Sequence, residues 1–409
     1  MIGTVEIMTE TPTLPPLHMR RNTFDPTEEL RRLRESAPVH KFISQFGMTA
    51  YLVTRHHDIK EILADHERFS NRRPPGFVPP IAAAVSDEEQ DRFRAGNLLG
   101  LDPPDHQRLR RMLTAEFTVR RMTQLEPRVA EIVKQHLDAM EAAGPPVELV
   151  SAFALPIPSL VICELLGVPY GDREGFQQRS ARQLDFAIPM QQRLALQREG
   201  RDYMRSLVRR ARCDPGDDML GMLLRDHGDE LSEDELVGIA GLLLLAGHET
   251  KANMLALGVL ALLVHPDQLA VVRDKPAMVP AAVEEMMRYL SIVQTAIPRF
   301  TTTDVEVAGT VIPAGQLVVL SLPSGNRDPE FLAAPDTLDV ARGRPGHLAF
   351  GYGVHHCLGA PLARMEMRIA FPALLRRFPG LALAEPLADV HYRAFHFIYG
   401  VRSLNVTWR

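Results

Sequence analysis

The residues with the most chemistry in them cluster between His347 and Gly359, in the run HLAFGYGVHHCLG. At its centre is Cys357, one of only three cysteines in the chain. Gly351 and Gly353 flank Tyr352, which suits a tight turn where backbone must approach something flat and large. The run after it, Leu358 to Leu374, repeats apolar residues at helical spacing, with Pro361 early enough for a first turn. Cys357 is therefore expected at a helix N-terminus, where the dipole and unpaired N–H groups favour a thiolate. A thiolate on a glycine-bent loop makes a good axial ligand for haem iron. The plainer alternative is a small buried hydrophobe, the usual fate of a lone cysteine. Zinc held by His347, His355, His356 and Cys357 fits poorly, because adjacent His355 and His356 point apart in extended chain.

A second chemical stretch lies inside Leu236 to Val264, which reads as one long core helix, apolar nearly all round and opened by Ser232 with Glu233 to Glu235. The exception is Ala246-Gly247-His248-Glu249-Thr250. A mid-helix glycine costs about 1 kcal/mol relative to alanine, and a core carboxylate needs water or a partner. Close packing and an exposed stripe would explain the two residues as well. Glu285 and Arg288 share a helix face at i, i+3, with Ala281, Ala282, Val283, Met286 and Met287 making the surroundings apolar. His106 and Arg110, at i, i+4, share another face.

Taken together, Phe350-Gly351-x-Gly353-x-His355-x-Cys357-x-Gly359 resembles the haem-binding loop of the cytochromes P450 at every fixed position. Glu285-x-x-Arg288 resembles the family's structural brace. His106, Arg110, Arg299 and His355 match its propionate-binding cations. The resemblance implies a mostly α fold with a small β region, and haem b between the long central helix and the cysteine-loop helix. Cys357 would be the axial ligand. Ala246 and Gly247 would make room above the iron, Thr250 would donate a hydrogen bond to bound oxygen, and Glu249 would feed protons from solvent. The chain departs from the family at Pro335-Asp336-Thr337-Leu338, where P-E-R-F is common, so the third brace member is open, with Arg327 and Arg342 as candidates. The implied activity is insertion of one atom of O2 into a hydrophobic small molecule. Electrons would come from NAD(P)H through a ferredoxin and its reductase, received on a basic patch of Arg111, Arg342, Arg344 and Arg364. A non-catalytic binding protein of the same fold and a peroxide-driven oxygenase are the alternatives.

The chain's 409 residues, 45% hydrophobic and 24% charged, can bury a large core. A net charge of −5 offers no basic footprint for nucleic acid. Scattered cysteines and the lack of a leader or a long apolar run fit a cytoplasmic protein without membrane spans, expected as a monomer. An N-terminal arm over 1–25 precedes one domain over 26–409. Strands are expected over 39–44 and 50–54, helices over 26–35, 56–65, 105–118, 121–142, 152–167, 172–212, 217–227 and 278–290, and β structure over 301–320. Residues 71–104 read as an irregular lid. Its Phe77, Val78 and Ile81, with Leu243, Ala246 and Gly247, Thr295, Ala296 and Ile297, and Phe395 and Phe397, are expected to line an apolar substrate pocket. Wording such as GLLLLAGHETKANMLALG resembles actinobacterial members that hydroxylate or epoxidise macrolides, other polyketides, terpenoids or xenobiotics.

Overall fold

The computed structural model describes residues 15–44, 48–74, 85–343 and 346–408. Helices dominate, in chain order α1 Glu28–Ser36, α2 His56–Ala64, α3 Asp87–Arg94, α4 Asp105–Thr114, α5 Val119–Ala143, α6 Pro156–Leu166, α7 Arg173–Gln183 and α8 Met190–Cys213. They continue as α9 Met219–His227, α10 Glu233–Leu263, α11 Pro266–Asp274, α12 Val279–Leu290, the one-turn α13 Leu322–Gly325, and α14 Ala360–Arg377.

The 31-residue α10 is the axis of the helical layer. A capping box starts it: Ser232 Oγ accepts from the Glu235 N–H, and the Glu235 carboxylate accepts from the Ser232 N–H. Every residue from Lys251 to Leu262 is buried, so this half runs inside the core; α10 as a whole packs against α6, α8 and α14. At Gly258 an added Cβ would sit 2.6 Å from the Phe371 ring of α14, so the two helices cross too closely for a side chain. No single helix among the described residues is long and apolar enough to cross a membrane.

The β region gathers on one side. Strands β1 (Val39–Ile43), β2 (Thr49–Val53), β5 (Leu317–Leu320), β4 (Arg299–Thr301) and β3 (Phe69–Ser70) form one sheet in that spatial order, with only β2 and β5 parallel. Two sequence expectations need correction. The stretch 172–212 is two helices, parted at Leu184–Pro189. There the Phe186 N–H donates to Phe395 O, Asp185 bridges to His396, and Pro189 caps the new helix. The expected irregular lid holds α3, capped by Ser86 Oγ, and a 3-10 turn at Leu98–Gly100.

Helix α12 ties the layers together. Arg288 is 1% exposed, and all five of its N–H donors are engaged. Two go to the Glu285 carboxylate (both 2.8 Å) and the others to the carbonyls of Asn326, Pro335 and Thr337. Arg342, 3.5 Å from Glu285, completes the brace; Thr337 contributes its backbone instead of a cation. Arg327 serves elsewhere, pairing with Asp25 and Asp336 and lying 3.9 Å over the Tyr289 ring. Replacing Arg288 by alanine strips a buried carboxylate and three carbonyls of their partner. It should cost roughly 3–5 kcal/mol, read as a lower denaturant midpoint; an unchanged midpoint would contradict the brace.

Candidate active site

The cysteine loop is shaped by its glycines. Gly351 and Gly353 have φ of +68° and +70°, and a Cβ on Gly353 would meet Leu63 O of α2 at 2.4 Å. The Cys357 N–H donates to Phe350 O (2.9 Å), and Gly359 is the N-cap of α14. The Leu348 N–H donates to Asn326 Oδ1 (2.7 Å), so the loop hangs on the residue whose carbonyl Arg288 holds. A second clamp was not legible in sequence. Glu284, beside the brace on α12, takes Arg364 of α14 on both oxygens (2.6 and 2.8 Å) and His347 at 3.1 Å. Burial opposes its ionisation, yet the Arg364 and His347 bonds win and hold its pKa down at about 2. Arg364 also lies 4.4 Å over the Phe350 ring.

Cys357 opens into a largely apolar cavity of about 280 Å³. One wall is the loop, including Phe350, Gly351 and Gly359; the opposite wall is Leu242, Leu243, Ala246, Gly247, Thr250, Lys251 and Met254 of α10. Ala296, Ile297 and Phe397 take part as expected. Thr295 does not, because its hydroxyl is turned to the Ala296 and Leu320 carbonyls. Phe395 faces away beside Phe186, in a separate depression. Phe77, Val78 and Ile81 lie outside the described residues. Leu98, Leu99, Leu113, Phe117, Ile162 and Val293 were missed, since nothing in their local pattern separates them from core. Ile162 also explains Gly247: an added Cβ would meet its side chain at 2.7 Å, so this glycine admits α6 as well as opening the cavity.

Charge is concentrated at one edge. His106, Arg110, Arg299 and His355 all line the cavity, with the two imidazole rings 4.1 Å apart. Arg110 donates to His356 O and Arg299 to Ile297 O, both at 2.7 Å; neither has a carboxylate partner within 4.0 Å among the described residues. Burial, with the neighbouring cations, lowers the His355 pKa to about 3, and burial brings Arg299 down to about 10. Among the described residues, His106 Nδ1 and His355 Nε2 are buried without a hydrogen-bond partner. A cluster of this kind asks for anions, and haem propionates fit it. Haem fits the rest as well: nothing lies within 4 Å of a Cβ built on Gly359, beside Cys357. Burial pushes the Cys357 thiol up, against the pull of the Gly359 N–H, Arg110, Arg364 and Lys251.

On α10 the polar residues divide. The Thr250 hydroxyl donates to Ala246 O (2.8 Å) on the cavity side. Glu249, 2% exposed, is not among the residues lining the cavity. Its carboxylate takes Arg393 (3.1 Å) and Asn253 (3.4 Å), with His248 Nε2 at 3.6 Å. Burial resists its ionisation, but His248 and Arg393 keep its pKa low. Lys251, given no role by the sequence, lines the cavity and pairs with Glu366 of α14 at 2.5 Å, both buried. Of the expected docking arginines, Arg111 is exposed; Arg342 belongs to the brace, Arg364 to the Glu284 clamp, and Arg344 lies outside the described residues. Lys251→Met should cost about 3–5 kcal/mol by stranding Glu366, whereas Lys251→Met with Glu366→Leu should recover most of it. Equal losses in urea unfolding would show that the pair's charges do not matter.

A sequence model of the family described as Cytochrome P450 matches residues 189–382. Over 393 residues the chain is 50% identical to Cytochrome P450 FAS1 of Rhodococcoides fascians, covering 96% of this chain and 98% of that protein. It is 44% identical to pentalenic acid synthase of Streptomyces avermitilis, covering 94% and 95%. The crystal structure of CYP105P1 in complex with filipin I superposes with a TM-score of 0.89 at 38% identity, covering 97% of this chain and 99% of the other. With a cysteine loop, a cation cluster and an arginine brace arranged as such similarity requires, the chain belongs to the cytochrome P450 family.

Proposed function

We propose that this cytochrome P450 monooxygenase hydroxylates a bulky hydrophobic metabolite of the polyketide or terpenoid kind. The observation that carries the reading is the cavity: the Cys357 sulfur opens into an apolar space whose far wall is α10. The similarity to pentalenic acid synthase, and to a P450 crystallised with filipin I, supports the choice of substrate class.

In this reading Cys357 would bind the iron of haem b through its sulfur, and His106, Arg110, Arg299 and His355 would hold the propionates. Bound there, haem supplies the activation of O2. The chain's own residues do the rest. Leu243, Ala246, Ile297 and Phe397 exclude water and press an apolar substrate toward the sulfur side. Thr250 Oγ1 holds a proton at the cavity wall, where oxygen cleavage consumes one. Glu249 acts from behind the helix, through its tie to partly exposed Arg393 rather than by contact with the cavity. Electrons arrive from NAD(P)H through a ferredoxin and its reductase, with Arg111 in the docking face.

Purified with haem, the reduced carbon-monoxide form should show the red-shifted band of thiolate ligation, absent in Cys357→His. A polyene macrolide or a sesquiterpene acid should shift the haem spin state, and a sugar of similar mass should not. No thiolate band would end the reading; a spin-state response to the sugar alone would end the substrate class. Thr250→Ala should still consume reductant but yield product at least about tenfold less per NAD(P)H, releasing peroxide. Full coupling in that variant would contradict the proton-relay role of Thr250.

A further inference from the structure

Outside the cavity, the C-terminal hairpin and the end of α7 enclose a second depression of about 200 Å³. Its lining is Ala181, Arg182, Asp185, Arg393, Phe395, His396 and Arg402. The hairpin is fixed by the Tyr392–Val401 bridge and by bonds from the Arg393 N–H to Gly400 O and the Arg402 N–H to His391 O. That register puts Arg393 and Arg402 diagonally on one face, where like charges repel. Arg182 comes from the last turn of α7, and the Asp185–His396 bridge joins that end to the hairpin. The charge is lopsided. His396 is held neutral by burial and nearby Arg393, with its ring nitrogens bonded to Ile398 and Ala181. Among the described residues Asp185 is the only acid in the lining, and one of its oxygens accepts from the Ala187 N–H. Among the described residues Arg402 has no side-chain partner and Arg182 only Gln192 at 3.4 Å. Three guanidiniums face Asp185 in the lining and, behind it, the Glu249 carboxylate that Arg393 holds, which still leaves a positive hollow on a protein of net charge −5.

We propose that this hollow binds a small oxyanion, phosphate or carboxylate, and that binding is coupled to α10 through Arg393. The coupling is physical: Arg393 Nη1 is also the cation on Glu249, the residue before Thr250. An oxyanion gathered by Arg182 and Arg402 competes with Glu249 for the Arg393 guanidinium, so the two carboxyl-type ligands oppose each other. This does not rest on which substrate the enzyme oxidises.

The test uses the full-length, haem-loaded protein in a zwitterionic buffer, with inorganic phosphate titrated against sodium chloride at matched ionic strength. Phosphate should raise the unfolding temperature saturably and chloride should not. Arg402→Ala, an exposed position, should weaken the phosphate response about tenfold, and Arg182→Ala likewise. Glu249→Gln should tighten phosphate binding, because it releases Arg393. Succinate in place of phosphate distinguishes the ligand: a stronger response assigns the hollow to carboxylates, a weaker one to phosphate. A phosphate effect matched by chloride, or kept intact in Arg402→Ala, overturns the site. Unchanged phosphate affinity in Glu249→Gln overturns the coupling.

Discussion

One buried guanidinium orders the half of the molecule that carries the cysteine. Arg288 is held by Glu285 on its own helix and grips three carbonyls of the segment between Asn326 and Thr337. A buried arginine is tolerable only when every N–H has a partner, and each partner fixes a stretch of otherwise irregular chain. Asn326 passes the constraint on: its amide oxygen accepts from the Leu348 N–H at the loop's start and its amide nitrogen donates to Ser291. Glu284, one residue before Glu285, fixes His347 and Arg364 on either side of Cys357. A single helix face therefore holds the loop before and after its reactive sulfur.

Electrostatics separates the cavity's edge from its body. The walls along α10 and the loop are mostly aliphatic, while His106, Arg110, Arg299 and His355 concentrate positive charge in one place. Keeping these groups together is unfavourable by itself, and Asp102 offsets it for His106 and Arg299 only from beyond salt-bridge distance. The fold supports the arrangement through backbone acceptors, as at His356 and Ile297, and through deep burial that keeps the imidazoles neutral.

Much of this was legible in the sequence because it is local. The glycine-bent loop, the E-x-x-R face and the i, i+4 pair at His106 and Arg110 each sit within ten residues, and local spacing fixes their relative orientation. What escaped was set across the chain. Whether Glu249 faces the cavity depends on Arg393, 144 positions away, and Lys251 becomes interpretable only with Glu366 of another helix. The break between α7 and α8 escaped too, since it comes from pairing of residues near Asp185 with the C-terminal hairpin. Thr295 and Phe395 sat at the right sequence positions for the pocket, but strict alternation fails in both segments, since Ile297 and Phe397 two residues on do line it; long-range partners, the Leu320 carbonyl and the Phe186 ring, draw the two side chains away.

The contact between Gly247 and Ile162 has a practical reach. Because the glycine leaves no slack where α6 crosses α10, the volume at position 162 sets how much room the neighbouring cavity offers. Trimming Ile162 to valine or alanine would enlarge that room without touching Thr250, the cysteine loop or the cation cluster. The crossing is thus a dial for ligand size, adjustable by protein engineering and by natural drift alike.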